Sequence, residues 1–411
     1  METLTVKKVN EVYMTIDCDG GSCFELSDYF TFTVPGMQFM PAVRNKFWDG
    51  KIRLFNAQTK KIYSGLLPHV QKFCDERDYN LEIDPAYADD EFSLQEAKQF
   101  ASTLDLPFEV RDYQLDAFAH AIKKKRALML SPTASGKSLI IYLLAAYLNK
   151  KTLIVVPTIS LVQQMAGDFK SYGYQGDPHM ITAGVEKETD NPITISTWQS
   201  IHKMPKKWFE QFDLVIGDEA HLFKSKSLTS IMTKTVGTEY KFGFTGTLDG
   251  TVTHKLVLEG LFGAVEKVIT TDELIKKGTL AEFNVKCLEL QYPDEIKKLH
   301  AKDKYQDEVD FLVRNESRNR FLKNLAISLQ GNTLLLYQFV EKHGKPLFLE
   351  IKNAIDSSVE KDRPVFFVSG EVDGDAREEI RALVEQNDNA IIVASFGTFS
   401  TGVNIKRLHN I

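Results

Sequence analysis

Between residues 107 and 281, short runs of aliphatic and aromatic residues recur at 127–130, 152–156, 193–196, 214–217 and 240–244, with helix-like spacing between them. Each run is apolar on both faces, the pattern of strands covered from both sides, and strands of that kind alternating with helices imply a parallel sheet. A second series at 284–290, 333–339, 364–368 and 390–394 implies another lobe of the same kind. The start of the chain reads differently. Strand-like runs at 5–16, 38–43 and 51–56, with helices near 24–30 and 67–78, predict a small α+β unit. Residues 86–91 are polar, and Ser93-Leu-Gln-Glu96 has the form of a capping box that opens a connecting helix. The expected divisions are a small α+β domain at 1–85, the connecting helix at 86–106, and α/β lobes at 107–281 and 282–411.

Two strand ends carry chemistry. The run at 127–130 leads into Ser131-Pro-Thr133-Ala134-Ser135-Gly136-Lys137-Ser138, with an amphipathic helix beyond. A loop set between a strand end and a helix N-terminus aims backbone N–H groups at a phosphate chain. Lys137 then reaches the β- and γ-phosphates, and Ser138 offers a hydroxyl to magnesium; the strict pattern has glycine where this chain has Ser131. The strand 213–217 ends in Asp218-Glu219-Ala220-His221. There Asp218 is placed to hold the same ion and Glu219 to orient and deprotonate an attacking water. ATP and Mg2+ are therefore the expected cofactors.

The net charge of −6 means that contact with nucleic acid must come from local basic patches. Such a patch lies at 44–61, where Arg44, Lys46, Lys51, Arg53, Lys60 and Lys61 oppose a single Asp49, with Phe47, Trp48 and Phe55 interleaved. This suits a duplex or junction surface, although a hairpin with one solvated basic face and one buried aromatic face has the same alternation. Lys123-Lys124-Lys125-Arg126 reads as a solvated turn near the nucleotide. The four cysteines, Cys18, Cys23, Cys74 and Cys287, lack zinc-site spacing and are expected as reduced thiols. No secretory signal core or membrane-length apolar stretch is present, so an intracellular protein is expected.

In order, Arg111-Asp-Tyr-Gln114, the phosphate loop, Val156-Pro157-Thr158, Thr182-Ala-Gly184, Ser196-Thr197-Trp198-Gln199, Asp218 to His221, Thr245-Gly246-Thr247, Ser395 and Ser400-Thr401-Gly402 resemble the superfamily 2 helicases and translocases over nearly all of the chain after Pro107. Asn45-Lys-Phe-Trp-Asp-Gly-Lys-Ile-Arg-Leu54 and Val368-Ser-Gly-Glu-Val-Asp373 bring the resemblance closer to the UvsW-type helicases of T4-like bacteriophages. The resemblance implies two RecA-like lobes in tandem and a DEAH box at Asp218 to His221. Arg111 and Gln114 would read the adenine, and Thr245, Gly246 and Thr247 would couple the γ-phosphate to DNA through His221. DNA grips would lie at Pro157, Thr158, Gly184, Thr197 and Gln199 in the first lobe, with Trp198 packed in the core. Ser369, Gly370 and Thr401 would grip in the second, with Gly402 at the nucleotide. The implied partner is branched DNA, single- and double-stranded, with RNA–DNA hybrids. The implied setting is phage recombination, repair and replication, by a monomer in the cytoplasm of the infected host.

One family motif is missing. No Gln-x-x-Gly-Arg-x-x-Arg occurs in the 411 residues, and the last arginine is Arg407. An arginine finger contributes about 10³- to 10⁵-fold to turnover in related hydrolases. A form truncated from a longer helicase, with an incomplete second lobe and impaired turnover, is expected. Two other readings stay open: an RNA helicase or restriction-type translocase subunit sharing the core, and a non-catalytic ATP- and DNA-binding module. Against a restriction subunit, the chain has no nuclease-like Asp-x-Glu-x-Lys constellation.

Overall fold

In the computed structural model, which describes residues 2–248, 250–357, 362–369, 382–399 and 407–411, the N-terminal strands are β1 (Thr3–Lys8), β2 (Tyr13–Asp17), β3 (Thr31–Thr33), β4 (Lys51–Arg53), β5 (Lys61–Tyr63) and β6 (Asn80–Ile83). Four of them form a sheet in the order β5-β2-β1-β6, while β3 and β4 make a separate antiparallel ribbon. Leu4, Val6, Met14 and Ile16 alternate inward onto Phe30 and Phe73. The run expected at 5–16 is a hairpin. The Asn10 side chain accepts from the amides of Val12 and Tyr13 at 2.8 and 3.0 Å and so closes a turn. The strand expected at 38–43 is instead a 3₁₀ turn, Met37–Phe39, and a short helix, Pro41–Arg44. Gly36 at φ 72° breaks the extended path, and Pro41 suits a first helical position.

The central region forms seven strands: β7 (Arg126–Leu130), β8 (Thr152–Val156), β9 (His179–Ile181), β10 (Ile193–Thr197), β11 (Leu214–Asp218), β12 (Tyr240–Thr245) and β13 (Val265–Lys267). Their order is β13-β7-β12-β11-β8-β10-β9, and every pairing is parallel. Successive residues face opposite cores. Ala127, Met129, Ile154, Ile216 and Phe242 meet Phe118, Ile140 and Phe169 on one side, and Leu128, Leu153, Val155 and Val215 meet Phe209, Phe223 and Phe262 on the other. Full burial of each such ring contributes about 1.5–3 kcal/mol.

The N-terminal domain and this sheet lie in one compact unit, Met1–Glu282. They share core: Leu256 of the helix Val252–Phe262 packs among the N-terminal domain's apolar residues. They also share a buried polar clamp. Lys241 donates to the Glu11 carbonyl at 2.9 Å, Arg126 donates to the same oxygen at 3.1 Å and to the Glu11 carboxylate at 3.3 Å, and the Glu11 amide donates to Val236 at 3.0 Å. Burial, and then the neighbouring Arg126 charge, press the Lys241 pKa well below its usual value. Lys124 pairs with Asp89, and Lys125 with Asp90 and Glu239. The basic run 123–126 therefore sits at the start of β7, opposite the phosphate loop, and its expected place near the nucleotide is corrected.

The second unit, Phe283–Ile411, has among its described residues β14 (Thr333–Tyr337), β15 (Val365–Val368) and β16 (Ile391–Ser395), parallel and in the order β14-β16-β15. Ile391 and Val393 pack against Leu347, Ile351 and Ile355 of the helix Lys345–Asp356. Buried Asn332 donates to the carbonyls of Asn387 and Arg407, each at 2.8 Å, and accepts from Ala390 at 2.8 Å. The strand expected at 284–290 is absent. Alternation supplies a side-chain pattern, but a strand also needs a neighbour's hydrogen bonds; among the described residues none pairs there, and Val285 is 78 % exposed. The cysteines are free thiols, with burial pushing Cys18 up to about 12 and Cys74 to about 11. Among the described residues no helix is long and apolar enough to cross a membrane.

Gly65 lies where the N-terminal domain meets the helix Val252–Phe262, and a Cβ there would approach the Glu259 carbonyl oxygen to 2.1 Å. Gly65→Ala is expected to cost about 1–3 kcal/mol, read as a lower urea midpoint with early proteolysis between the two domains. An unchanged midpoint would mean that the junction is soft.

Candidate nucleotide site and nucleic-acid edge

The strand order gathers the nucleotide candidates at the C-terminal ends of β7, β12 and β11. Lys137 opens the helix Lys137–Leu148 and donates to Glu219 Oε1 at 3.0 Å; its Nζ lies 3.8 Å from Asp218 Oδ1. The other Glu219 oxygen is 3.3 Å from His221 Nδ1, which is 3.0 Å from Thr245 Oγ1. Thr245 gives its own proton to the Thr247 carbonyl at 2.9 Å, so His221 Nδ1 is the donor in this chain. Thr247 thus joins through its backbone. Gly246 sits over Pro132, its Cβ position 3.7 Å from the proline Cα, and ties this segment to the loop.

The loop is held open from beneath. Ala134 at φ 65° and Gly136 at φ 79° are left-handed, and among the described residues the amides of Gly136, Lys137 and Ser138 meet no protein acceptor. Consecutive free amides in such a turn at a helix N-terminus form an anion cradle. Thr133 and Ala134 are exposed at its rim, whereas Ser135 is buried. Ser131 has a use of its own here: its hydroxyl bonds to Ser135 Oγ at 2.6 Å, bracing the turn. Gln114, 3 % exposed, spends both ends of its amide inside the protein, donating to the Ser135 carbonyl at 2.9 Å and accepting from the Arg111 amide at 2.9 Å. It buttresses the loop. Arg111 instead lines a cavity of about 270 Å³ with Tyr113, Lys277 and Thr279. Lys277 and Thr279 were invisible in the sequence, since Lys277 reaches Tyr113, 5.4 Å from the ring centroid, only through the fold.

Two carboxylates side by side have opposite electrostatics. Burial pushes Glu219 upward, but the His221 hydrogen bond and the Lys137 charge outweigh it and hold the group down at about 2. Burial raises the Asp218 pKa, and Lys137 offsets this only in part. Asp218 Oδ1 is buried with no hydrogen-bond partner. A bare carboxylate oxygen beside a phosphate cradle fits a divalent cation that keeps most of its ligands from phosphate and water. Among the described residues no cluster of three or more His, Cys, Asp or Glu is arranged to hold a metal alone. Ser138, the other expected ligand, has its hydroxyl bonded to Tyr172 at 2.8 Å.

Beyond β11 the same edge carries the first-lobe grip candidates on β8, β10 and β9. Thr158 caps the helix Ile159–Ser171, accepting from Leu161 at 3.3 Å, and Gln199 donates to the Pro157 carbonyl at 3.4 Å. Gly184 is left-handed at φ 82°. Thr197 is 5 % exposed with its hydroxyl on Ser200, and Trp198 packs partly into the core. In the N-terminal domain Arg44, Lys46 and Lys51 are exposed without an ion pair among the described residues, whereas Arg53 is neutralised by Asp49 at 2.5 Å. Ser369, beyond the end of β15, is buried; Gly370, Thr401 and Gly402 lie outside the described residues.

Comparison with known proteins decides the family. Residues 4–84 match the family described as DNA helicase UvsW, N-terminal, and residues 107–250 match the family described as type III restriction enzyme, res subunit. The chain is 36 % identical over 97 % of its length to the ATP-dependent DNA helicase uvsW of Enterobacteria phage T4, covering 82 % of that protein. The chain belongs to the UvsW family of DNA helicases. The crystal structure of T4 UvsW aligns with 99 % of this UvsW-family helicase and 83 % of its own chain, at a TM-score of 0.60 and 33 % identity. The DNA 3'-5' translocase XPB2 of Sulfurisphaera tokodaii is 27 % identical over 84 % of the helicase and 82 % of XPB2.

A carboxyl group whose pKa rises on folding gives stability that is complete below its unfolded value, about 3.9, and is lost as pH climbs through the folded value. Neutral pH lies above that unfolded value, so buried Asp218, whose Oδ1 has no hydrogen-bond partner and which Lys137 offsets only in part, is there a net cost. Asp218→Asn is expected to raise stability at pH 7 by about 1 kcal/mol, an advantage that vanishes toward pH 3 in paired denaturation series. Equal stability at pH 7 would show that Lys137 already compensates the charge.

Proposed function

We propose that this UvsW-family helicase binds Mg-ATP in the cradle 131–138 and spends its hydrolysis on branched DNA: branch migration of Holliday junctions, regression of forks and removal of R-loops, including their RNA–DNA hybrids. The observation that supports this reading best is the chain from Lys137 through Glu219 and His221 to Thr245, since it links a phosphate-binding cation to the strand end nearest the coupling segment. Without nucleotide, Lys137 neutralises Glu219. With a triphosphate in the cradle, Lys137 would turn to its phosphates, and Glu219 would stay ionised with its oxygens free to accept a proton from water. His221 then loses or keeps its Glu219 contact according to that state, and Thr245 and Thr247 pass the change along the strand ends. Asp218 and Ser138 are the residues that would hold the magnesium ion, which supplies charge neutralisation at the phosphates when bound. Arg111, Tyr113, Lys277 and Thr279 would receive the base. Pro157, Thr158, Gly184 and Gln199 would hold one DNA strand by its phosphates, without reading sequence.

Glu219→Gln keeps shape and removes the base. It is expected to retain ATP binding and to slow hydrolysis at least about 100-fold, whereas Lys137→Ala loses tight Mg-ATP binding in calorimetry and leaves DNA binding intact. Unchanged turnover in Glu219→Gln would assign the base elsewhere. Because the 411 residues lack the final arginine motif, DNA-stimulated hydrolysis by this chain is expected to be weak. Charge reversal at Lys46 and Lys51 is expected to weaken all DNA binding and flatten its log–log salt dependence by about one unit per lost phosphate contact. An unchanged slope would mean that the basic face is merely solvated.

A further inference from the structure

The segment 34–50 between β3 and β4 is tied to itself. Val34 donates to the Gly50 carbonyl at 2.8 Å, Phe47 to Ala42 at 2.9 Å, Trp48 to Ala42 at 3.2 Å, and the Trp48 indole to Lys51 at 3.0 Å. Gly50 closes on Met37 so tightly that a Cβ would fall 1.9 Å from the sulfur. The loop is braced by its own backbone bonds. It leaves Phe39 77 % and Phe47 85 % exposed, with Met40, next to Phe39 in sequence, at 36 %. A lone exposed phenylalanine needs no explanation, but two on one braced loop, together with the unpaired cations Arg44, Lys46 and Lys51, describe a binding surface.

We propose that Phe39 and Phe47 form a stacking pin that engages unpaired bases where the strands of a branched DNA part, while Arg44, Lys46 and Lys51 hold the flanking phosphates. This rests on the DNA-binding reading above. The charges select the partner class, since cations around the rings suit polyanionic nucleic acid. The rings select the state of that nucleic acid. A phenyl group cannot hydrogen-bond a base edge, and its one useful contact is face to face, which a paired and stacked duplex denies and an unpaired base offers. The pin is therefore indifferent to sequence and sensitive to branching. An acidic protein is the competing partner, and it would have no use for unpaired bases.

The test compares the full 411-residue chain with Phe39→Ala, Phe47→Ala and Phe47→Trp, without nucleotide, on three DNAs of equal phosphate number: a fully paired duplex, a fork, and the same fork with abasic sites at the branch. Anisotropy gives affinity, and 2-aminopurine at the branch reports stacking. Each alanine variant is expected to lose about 10-fold on the fork and nothing on the duplex, with Phe47→Trp retaining affinity. Abasic sites should erase the difference, and quenching of 2-aminopurine should vanish in the alanine variants. Equal losses on duplex and fork, or none on either, overturn the pin. Lys46→Glu with Lys51→Glu separates the two levels: if it weakens every DNA while the phenylalanine variants bind like wild type, only the pin fails. If it changes nothing and the wild type binds no DNA, the DNA-binding reading fails with it. Circular dichroism verifies that each variant is folded.

Discussion

The adjacency of β7, β12 and β11 in a parallel sheet is the constraint from which the rest of the first unit follows. Parallel strands deliver all their C-terminal ends to one edge, and this order sets the phosphate loop, Thr245 and Asp218 side by side. Lys137 and Glu219, 82 positions apart in sequence, meet at 3.0 Å for no other reason. The order continues through β8, β10 and β9, so the nucleotide half of the edge grades into the half proposed to hold DNA. Anything that disturbs the β11 strand end is felt by both neighbours, because β11 pairs with β12 on one side and β8 on the other.

This edge is also where the fold carries its costs. Ala134 and Glu219 are left-handed without being glycine, a conformation that costs about 1 kcal/mol or more per residue. Asp218 keeps a bare buried oxygen, and the Ser138 hydroxyl is occupied by Tyr172. The surrounding strands, each wholly buried, supply the stability that lets such a site persist.

Much of this was legible in the amino-acid pattern, and the exceptions have a common origin. The long apolar runs became strands within a residue or two, because double-sided burial leaves a continuous signal. The three-residue edge strands β9 and β13 escaped notice, being too short for any period to register. The run 284–290 had strand-like composition and, among the described residues, no pairing partner, and residues 38–43 had strand-like composition overruled by Gly36 and Pro41. At the candidate site, motif order named Lys137, Glu219, His221 and Thr245, which the fold brings into one chain of contacts. It could not tell that Gln114 would turn inward to support the loop, nor that Lys277 would arrive beside Tyr113, since both depend on distances between segments that no local pattern encodes. Arg126 was the plainest misreading: a basic run looks solvated until a carbonyl from another domain is found waiting for it.

That carbonyl, on Glu11, gives the N-terminal domain a fixed attachment. Two cations donate to a single residue in the turn between β1 and β2, whose own amide donates to the Val236 carbonyl, at the strand ends farthest from the candidate nucleotide site, and a shared core covers the same junction. A domain gripped in this way behaves as a bracket and not as a tether: it has no slack to take up. Whatever displacement the seven-stranded sheet undergoes is handed undiminished to the surface that the N-terminal domain presents, and the spacing between that surface and the nucleotide edge serves as a built-in ruler.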